Sequence, residues 1–194
     1  MARVRSPAGL EQAAHRLFDI CRGVVLSPFL EIDTETRFVF LDEDCVLAYR
    51  KERPGVIGDG HSMLAELVIR DVAAGLLDPL AVDLDAIDRR GVPKAGDRVA
   101  VQWKHNLGQG AQAVRFDPGA AQLSASLALA RRAFDRLGLR FASIDLVRSA
   151  GRDLVLEANS GVMLEVMARG AANGELLADG IYHRALDLAI GAQH

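Results

Sequence analysis

Residues Thr34–Leu41 alternate, with Arg37, Val39 and Leu41 on one side and Phe38 and Phe40 on the other. That period of two predicts a half-buried strand. Asp42-Glu43-Asp44 is turn-like, and Cys45–Arg50 returns as the second strand of a hairpin. A second pair lies near the C-terminus, where Ile144–Val147 and Leu154–Glu157 flank the turn Arg148-Ser149-Ala150-Gly151-Arg152. Helical spacing predicts an amphipathic helix over Pro7–Arg22, with Leu10, Ala14, Leu17, Phe18 and Cys21 on one face and Gly23 as its stop. A second helix is expected over His61–Ala74. A third spans Ser126–Leu137, with Ala130, Ala133, Phe134 and Leu137 in register and Gly138 closing it. Gly161–Met167 and Ile181–Ile190 also read as helical. Short strands are expected at Val24–Leu26 and Val99–Trp103, loops at Gly55–Gly60 and Asn106–Gly110, and a short helix at Asp83–Arg89 within the irregular stretch Leu76–Asp97. The pattern predicts an α+β fold, a mostly antiparallel sheet flanked by helices.

Three polar residues interrupt the C-terminal apolar strands. Asp145 lies inside the first, Glu157 ends the second, and Asn159 follows two residues later. Glu157 and Asn159 share a face by strand periodicity, and Asp145 can come beside them from the neighbouring strand. Two carboxylates and an amide oxygen on one face suit a hard cation such as Mg²⁺. Solvated strand ends and a turn asparagine account for the same residues equally simply.

Composition narrows the classes. The chain has 194 residues, half of them hydrophobic, with a net charge of −3. That supports one core or two small lobes sharing a cleft. The absence of a basic run argues against nucleic acid as the main partner. The apolar runs are too short for a membrane span. Cys21 and Cys45 give no disulfide framework and read as reduced thiols, which points to the cytoplasm.

The segment GLRFASIDLV…DLVLEAN resembles the C-terminal core of ATP-grasp ligases, a helix ending in Leu-Gly followed by an acid-bearing strand and a strand ending Glu-x-Asn. VVLSPFLEIDTETRFVFLDEDCVLAYRKERPGVIGDGHSMLAELV resembles the middle of cyanophycin synthetase and of glutamate-adding ligases. GVPKAGDRVAVQWKHNLGQGAQAV resembles the strand and glycine loop that come next. The blocks cover about Val24 to Asn159 in the family's order. The resemblance implies ATP and Mg²⁺ as cofactors, with Asp145, Glu157 and Asn159 as metal ligands. It implies that Arg37 and Arg53 hold phosphoryl or carboxylate groups, with Arg50 and Lys51 as rivals to Arg53 by register slip. It places the adenine on the backbone of Phe29 and Leu30, the ribose on Glu31 or Asp33, and a closing loop at Asn106. Gly108 and Gly110 would permit left-handed backbone there.

The reaction implied joins a small carboxylate to an amine through an acyl-phosphate. Two departures stand out. Ser160-Gly161-Val162-Met163 replaces the family's proline-containing turn after Glu-x-Asn, and the only lysines are Lys51, Lys94 and Lys104, all beyond the expected hinge. The chain thus reads as a single C-terminal lobe, with the family's N-terminal lobe and substrate domain not in it. It is not expected to turn over ATP unless a separate lobe or a second copy completes the site. The alternative is a non-catalytic or split-enzyme remnant that binds a nucleotide or a protein partner.

Overall fold

The computed structural model describes residues 4–83, 87–169 and 172–191. Residues 4–31 and residues 32–191 form two compact units. The first contains helix α1 (Pro7–Phe18). Ser6 caps it by accepting the Gly9 N–H at 3.1 Å, and Pro7 occupies the first turn, where a missing N–H costs nothing. No α1 residue is buried. The helix stops four residues short of the expected Arg22. Val24–Leu26 is not a strand, because no described strand pairs with it.

The second unit is built on a five-stranded sheet in the order β5-β2-β1-β6-β7, antiparallel throughout. Its members are β1 (Thr34–Leu41), β2 (Asp44–Glu52), β5 (Gln112–Phe116), β6 (Phe141–Ser149) and β7 (Arg152–Asn159). The edge strand β5 escapes sequence reading, since its burial shows no clean alternation. The β6–β7 turn is tighter than expected. Ala150 (φ 48°) and Gly151 (φ 74°) are both left-handed, the backbone that matches the twist of a two-residue hairpin.

Helix α3 (Ser124–Leu137) packs on one sheet face against Phe38, Phe40, Ala142, Ile144 and Leu146. The Phe40 and Phe134 rings stack at 4.9 Å, with the Arg131 guanidinium 4.5 Å from the Phe40 centroid. Gly138 (φ 62°) ends the helix as expected. On the opposite face, α4 (Glu165–Arg169) and α5 (Gly174–Gly191) cover Val39, Leu47 and Tyr49. Both differ from the helices expected over Gly161–Met167 and Ile181–Ile190, α4 by starting later and α5 by starting earlier.

A third cluster joins α2 (Leu64–Ala73) to the two-stranded sheet of β3 (Gly55–Ile57) and β4 (Arg98–Ala100). Helix α2 begins three residues after the expected His61. Asp59 holds the preceding turn by accepting the N–H groups of His61 and Ser62 and the Ser62 hydroxyl. The short helix expected over Asp83–Arg89 falls partly on residues 84–86, outside the described residues. Residues 87–90 form a bend and a turn instead of a helix. No helix of the described residues is long and apolar enough to cross a membrane.

Candidate functional site

The face carrying α4 and α5 also carries a charged cluster. Tyr49, Arg37, Asp145 and Glu157 are register neighbours across β2, β1, β6 and β7. Two bulges decide which residues stand there. The β1–β2 hairpin starts with Leu41 opposite Asp44, but the register shifts between Val39 and Phe40, so that Val39 faces Leu47 and Val46 is the extra residue. Without the shift Arg37 would face Ala48, and Lys51 would point to the α3 side. In β6–β7 the register shifts between Asp145 and Leu146, leaving Leu156 as the extra residue. Glu157 therefore faces Asp145, and Asn159 lies two residues on, opposite Ser143.

Asp145 is fully buried and binds two cations. Arg37 donates to it through Nε at 2.6 Å and Nη2 at 2.7 Å, a parallel two-bond contact. Lys51 Nζ donates to Asp145 Oδ2 at 2.7 Å and to Glu35 Oε1 at 2.5 Å. Glu157 Oε1 stands 3.7 Å from Arg37 Nη2 and accepts from Asn159 Nδ2 at 3.1 Å. The burial gradient is steep, with side-chain exposure of 0% for Asp145, 7% for Lys51, 17% for Arg37 and 52% for Glu157. Three acids against two bases leave one negative charge, and the exposed rim of the cluster is Glu157.

The environment drives the two inner carboxyls apart. Burial pushes the Asp145 carboxyl up, but the Arg37 hydrogen bonds and the Lys51 and Arg37 charges outweigh it and hold the group below the usual aspartate range. Burial also pushes Glu35 up, and Lys51 offsets only part of that, so Glu35 sits above the usual glutamate range.

The other expected site residues fall elsewhere. Arg53 lies in the link from β2 to β3, where its carbonyl accepts from Arg98 Nη2 at 2.7 Å. The cation that reaches Asp145 beside Arg37 is Lys51, not Arg53. Exposed Asn106 caps a one-turn 3₁₀ helix by accepting the Gly108 N–H at 2.8 Å. In that loop only Gly110 (φ 89°) needs left-handed backbone; Gly108 does not. Phe29, Leu30 and Glu31 have no regular secondary structure and belong to the first unit. Exposed Asp33 precedes β1, and its N–H donates to the Arg148 carbonyl. His105 is buried. Its Nδ1–H donates to the Lys51 carbonyl at 2.8 Å, which pins the strand that carries the ammonium. Burial holds its ring below the usual histidine range. The polar gap in the run QWKHNLG gave no signal of this. Ser143, also fully buried on the cluster's face, was missed as well.

No family model matches the sequence, and no curated protein matches it. Among solved structures the chain is similar to a bifunctional glutathione synthetase from Pasteurella multocida, with a TM-score of 0.52 and 16% identity over 80% of this chain and 25% of that one. The fold is ATP-grasp-like. At this identity the likeness concerns architecture alone, and the chain spans about a quarter of the protein it matches. The similarity is to a glutathione synthetase, and it does not single out cyanophycin synthetase.

The donor set tests the expected metal. Among the described residues no group of three or more His, Cys, Asp or Glu side chains is placed to hold a metal ion. Asp145 has both oxygens engaged by Arg37 and Lys51. Glu157 and Asn159 offer hard oxygen at the exposed, net-negative rim, which fits a divalent ion that brings its remaining ligands from water and phosphate.

Proposed function

We propose that residues 32–191 act as the nucleotide-facing lobe of an ATP- and Mg²⁺-dependent ligase that joins a carboxylate to an amine through an acyl-phosphate. The observation that carries this is the Arg37–Lys51–Asp145–Glu157–Asn159 cluster on one sheet face of an ATP-grasp-like fold. Phosphoryl transfer depends on positioning and on charge neutralisation. Asp145 supplies the positioning. It holds the Arg37 guanidinium flat and the Lys51 ammonium in place, so neither reorganises when an anion arrives. Arg37 keeps a partly exposed edge near Glu157, from which it can meet a phosphoryl or carboxylate oxygen. Glu157 and Asn159 would hold the Mg²⁺, which when bound neutralises polyphosphate charge. Glu35 keeps the buried Lys51 from being an uncompensated charge on its inner side.

One observation favours a second reading, a module that binds nucleotide without turnover. Asp145 is saturated by its own side-chain partners, so a metal shell drawing on all three expected ligands would first have to break a buried ion pair. Calorimetric titration of the protein with ATP, with and without Mg²⁺, tests both readings alongside an ADP-release assay that supplies amino acids and small carboxylates. Saturable Mg²⁺-dependent binding, with ADP release once a separately supplied N-terminal lobe is added, supports the ligase. Binding without release in the presence of that lobe supports the module. No binding of ATP under either condition sinks both.

A further inference from the structure

The opposite side of the same strands holds a cleft of about 170 Å³ that the nucleotide site does not use. Thr34 and Thr36 of β1, Arg50 of β2, Arg148 of β6, Asp153 of β7 and Ser126 of α3 line it. Side chains alternate across a strand, so Thr36 and Arg50 are the back-to-back neighbours of Arg37 and Lys51. The cleft lies on the α3 face, by the first turn of that helix, where the helix dipole favours negative charge.

Its charges are unevenly matched. Asp153 is committed, with one oxygen accepting from Arg148 Nη1 at 3.2 Å and the other from the Ser126 hydroxyl at 2.6 Å. Arg148 also reaches the Gly151 carbonyl at 3.4 Å. Among the described residues Arg50 has no comparable hydrogen-bond partner. Its Nε is sealed from solvent without a hydrogen bond, while its guanidinium is held 5.1 Å from the Phe116 ring centroid. A buried N–H left without a partner is costly. Two arginines against one aspartate leave a positive charge, and two threonine hydroxyls stand beside it.

We propose that this cleft binds a small oxyanion, with Arg50 as its principal donor. The volume decides the size. A cleft of about 170 Å³ has room for a phosphate or a small carboxylate. Phosphate is the better match, because its several acceptors can serve the guanidinium and both hydroxyls together. The inference stands apart from the ligase reading, since the two sites use opposite faces of the sheet.

The test is a titration of the isotopically labelled protein with inorganic phosphate at constant ionic strength, followed by magnetic resonance, with acetate and chloride as parallel arms. Saturable shifts are expected at the Arg50 guanidinium and at the amides of Thr34, Thr36 and Ser126, with a dissociation constant on the order of millimolar. Arg50→Gln should weaken phosphate binding about tenfold or more. If that variant does not fold, Thr36→Val, which removes one hydroxyl at nearly constant volume, should weaken it measurably. A stronger acetate response than phosphate response would assign the cleft to carboxylates within the same class. Equal shifts with chloride, shifts confined to the Arg37–Glu157 face, no saturation, or unchanged affinity in the folded variants would each overturn the proposal.

Discussion

Asp145 offers its two carboxylate oxygens to cations from two other strands, Arg37 on β1 and Lys51 on β2. Lys51 in turn bridges Asp145 to Glu35, so four charged side chains form one chain of contacts inside the sheet face. Buried charges of this kind are costly to remove singly, because each removal strands a partner where water cannot reach it. The cluster is therefore coupled to folding.

Asp145→Ala should destabilise the protein by about 3–5 kcal/mol, the usual cost of leaving buried partners uncompensated. The measurement is the urea midpoint at a fixed slope. A loss below about 1 kcal/mol would show that Arg37 and Lys51 relax into water, and the buried cluster would not be what holds β1, β2 and β6 in register.

Lys51→Met and Glu35→Gln should each destabilise, yet the double variant should cost less than the two together. With the ammonium gone, the glutamate is the stranded group, and removing it relieves the strain. A coupling of roughly 1–3 kcal/mol is expected for groups in one buried network. Additive effects in the cycle would mean that the contact between these two side chains carries no net interaction.

Stability should fall on both sides of a mildly acidic optimum. Asp145 has its carboxyl held below the ordinary value, so its contribution is present above about pH 4 and is lost as pH falls through its folded value. Glu35 has its carboxyl pushed above the ordinary value. Its contribution is present below about pH 4.3 and is lost as pH rises through the folded value, because the native state then holds the proton more tightly. Thermal midpoints of the parent and of Glu35→Gln, compared between about pH 4 and neutrality, read the second limb. The parent should lose ground to the variant as pH rises. A constant difference between them would refute the raised Glu35 value.

The elements were easier to read than the faces. Both hairpins, α3 with its Gly138 stop and the acid-bearing strands follow from apolar spacing and turn residues, which act locally. The identity of the second cation did not follow. Parity counted from the β1–β2 turn puts Arg50 on Arg37's face and Lys51 behind it, and the bulge at Val46 reverses that assignment. Leu156 does the same for Glu157. A bulge is a tertiary choice, set by which residues the two cores require, and no local residue type announces it. Edge strand β5 and buried His105 were hidden for a related reason. One has a solvent-facing pattern that alternates poorly, and the other bonds a carbonyl on a strand 54 positions away.

Glu157 separates the proposed ligand binding from folding. Its side chain is half exposed, at 52%, and its loss strands no buried cation, since Arg37 keeps both bonds to Asp145. Glu157→Gln should therefore change stability by no more than about 0.5 kcal/mol, as surface substitutions do. It removes the one unbalanced negative charge of the cluster and half of the proposed rim donor pair. If Glu157 and Asn159 hold the Mg²⁺ that accompanies ATP, the Mg²⁺-dependent part of ATP affinity should fall about tenfold, since a direct charged ligand contributes roughly that factor. The part measured with excess chelator should stay unchanged. Asn159→Ala should move the same quantity in the same direction by less, because an amide oxygen carries no net charge. Titration of the folded variants with ATP in Mg²⁺ and in chelator reads all four values. Retention of full Mg²⁺ dependence in Glu157→Gln would place the metal on other residues and leave the rim of the sheet without its proposed role.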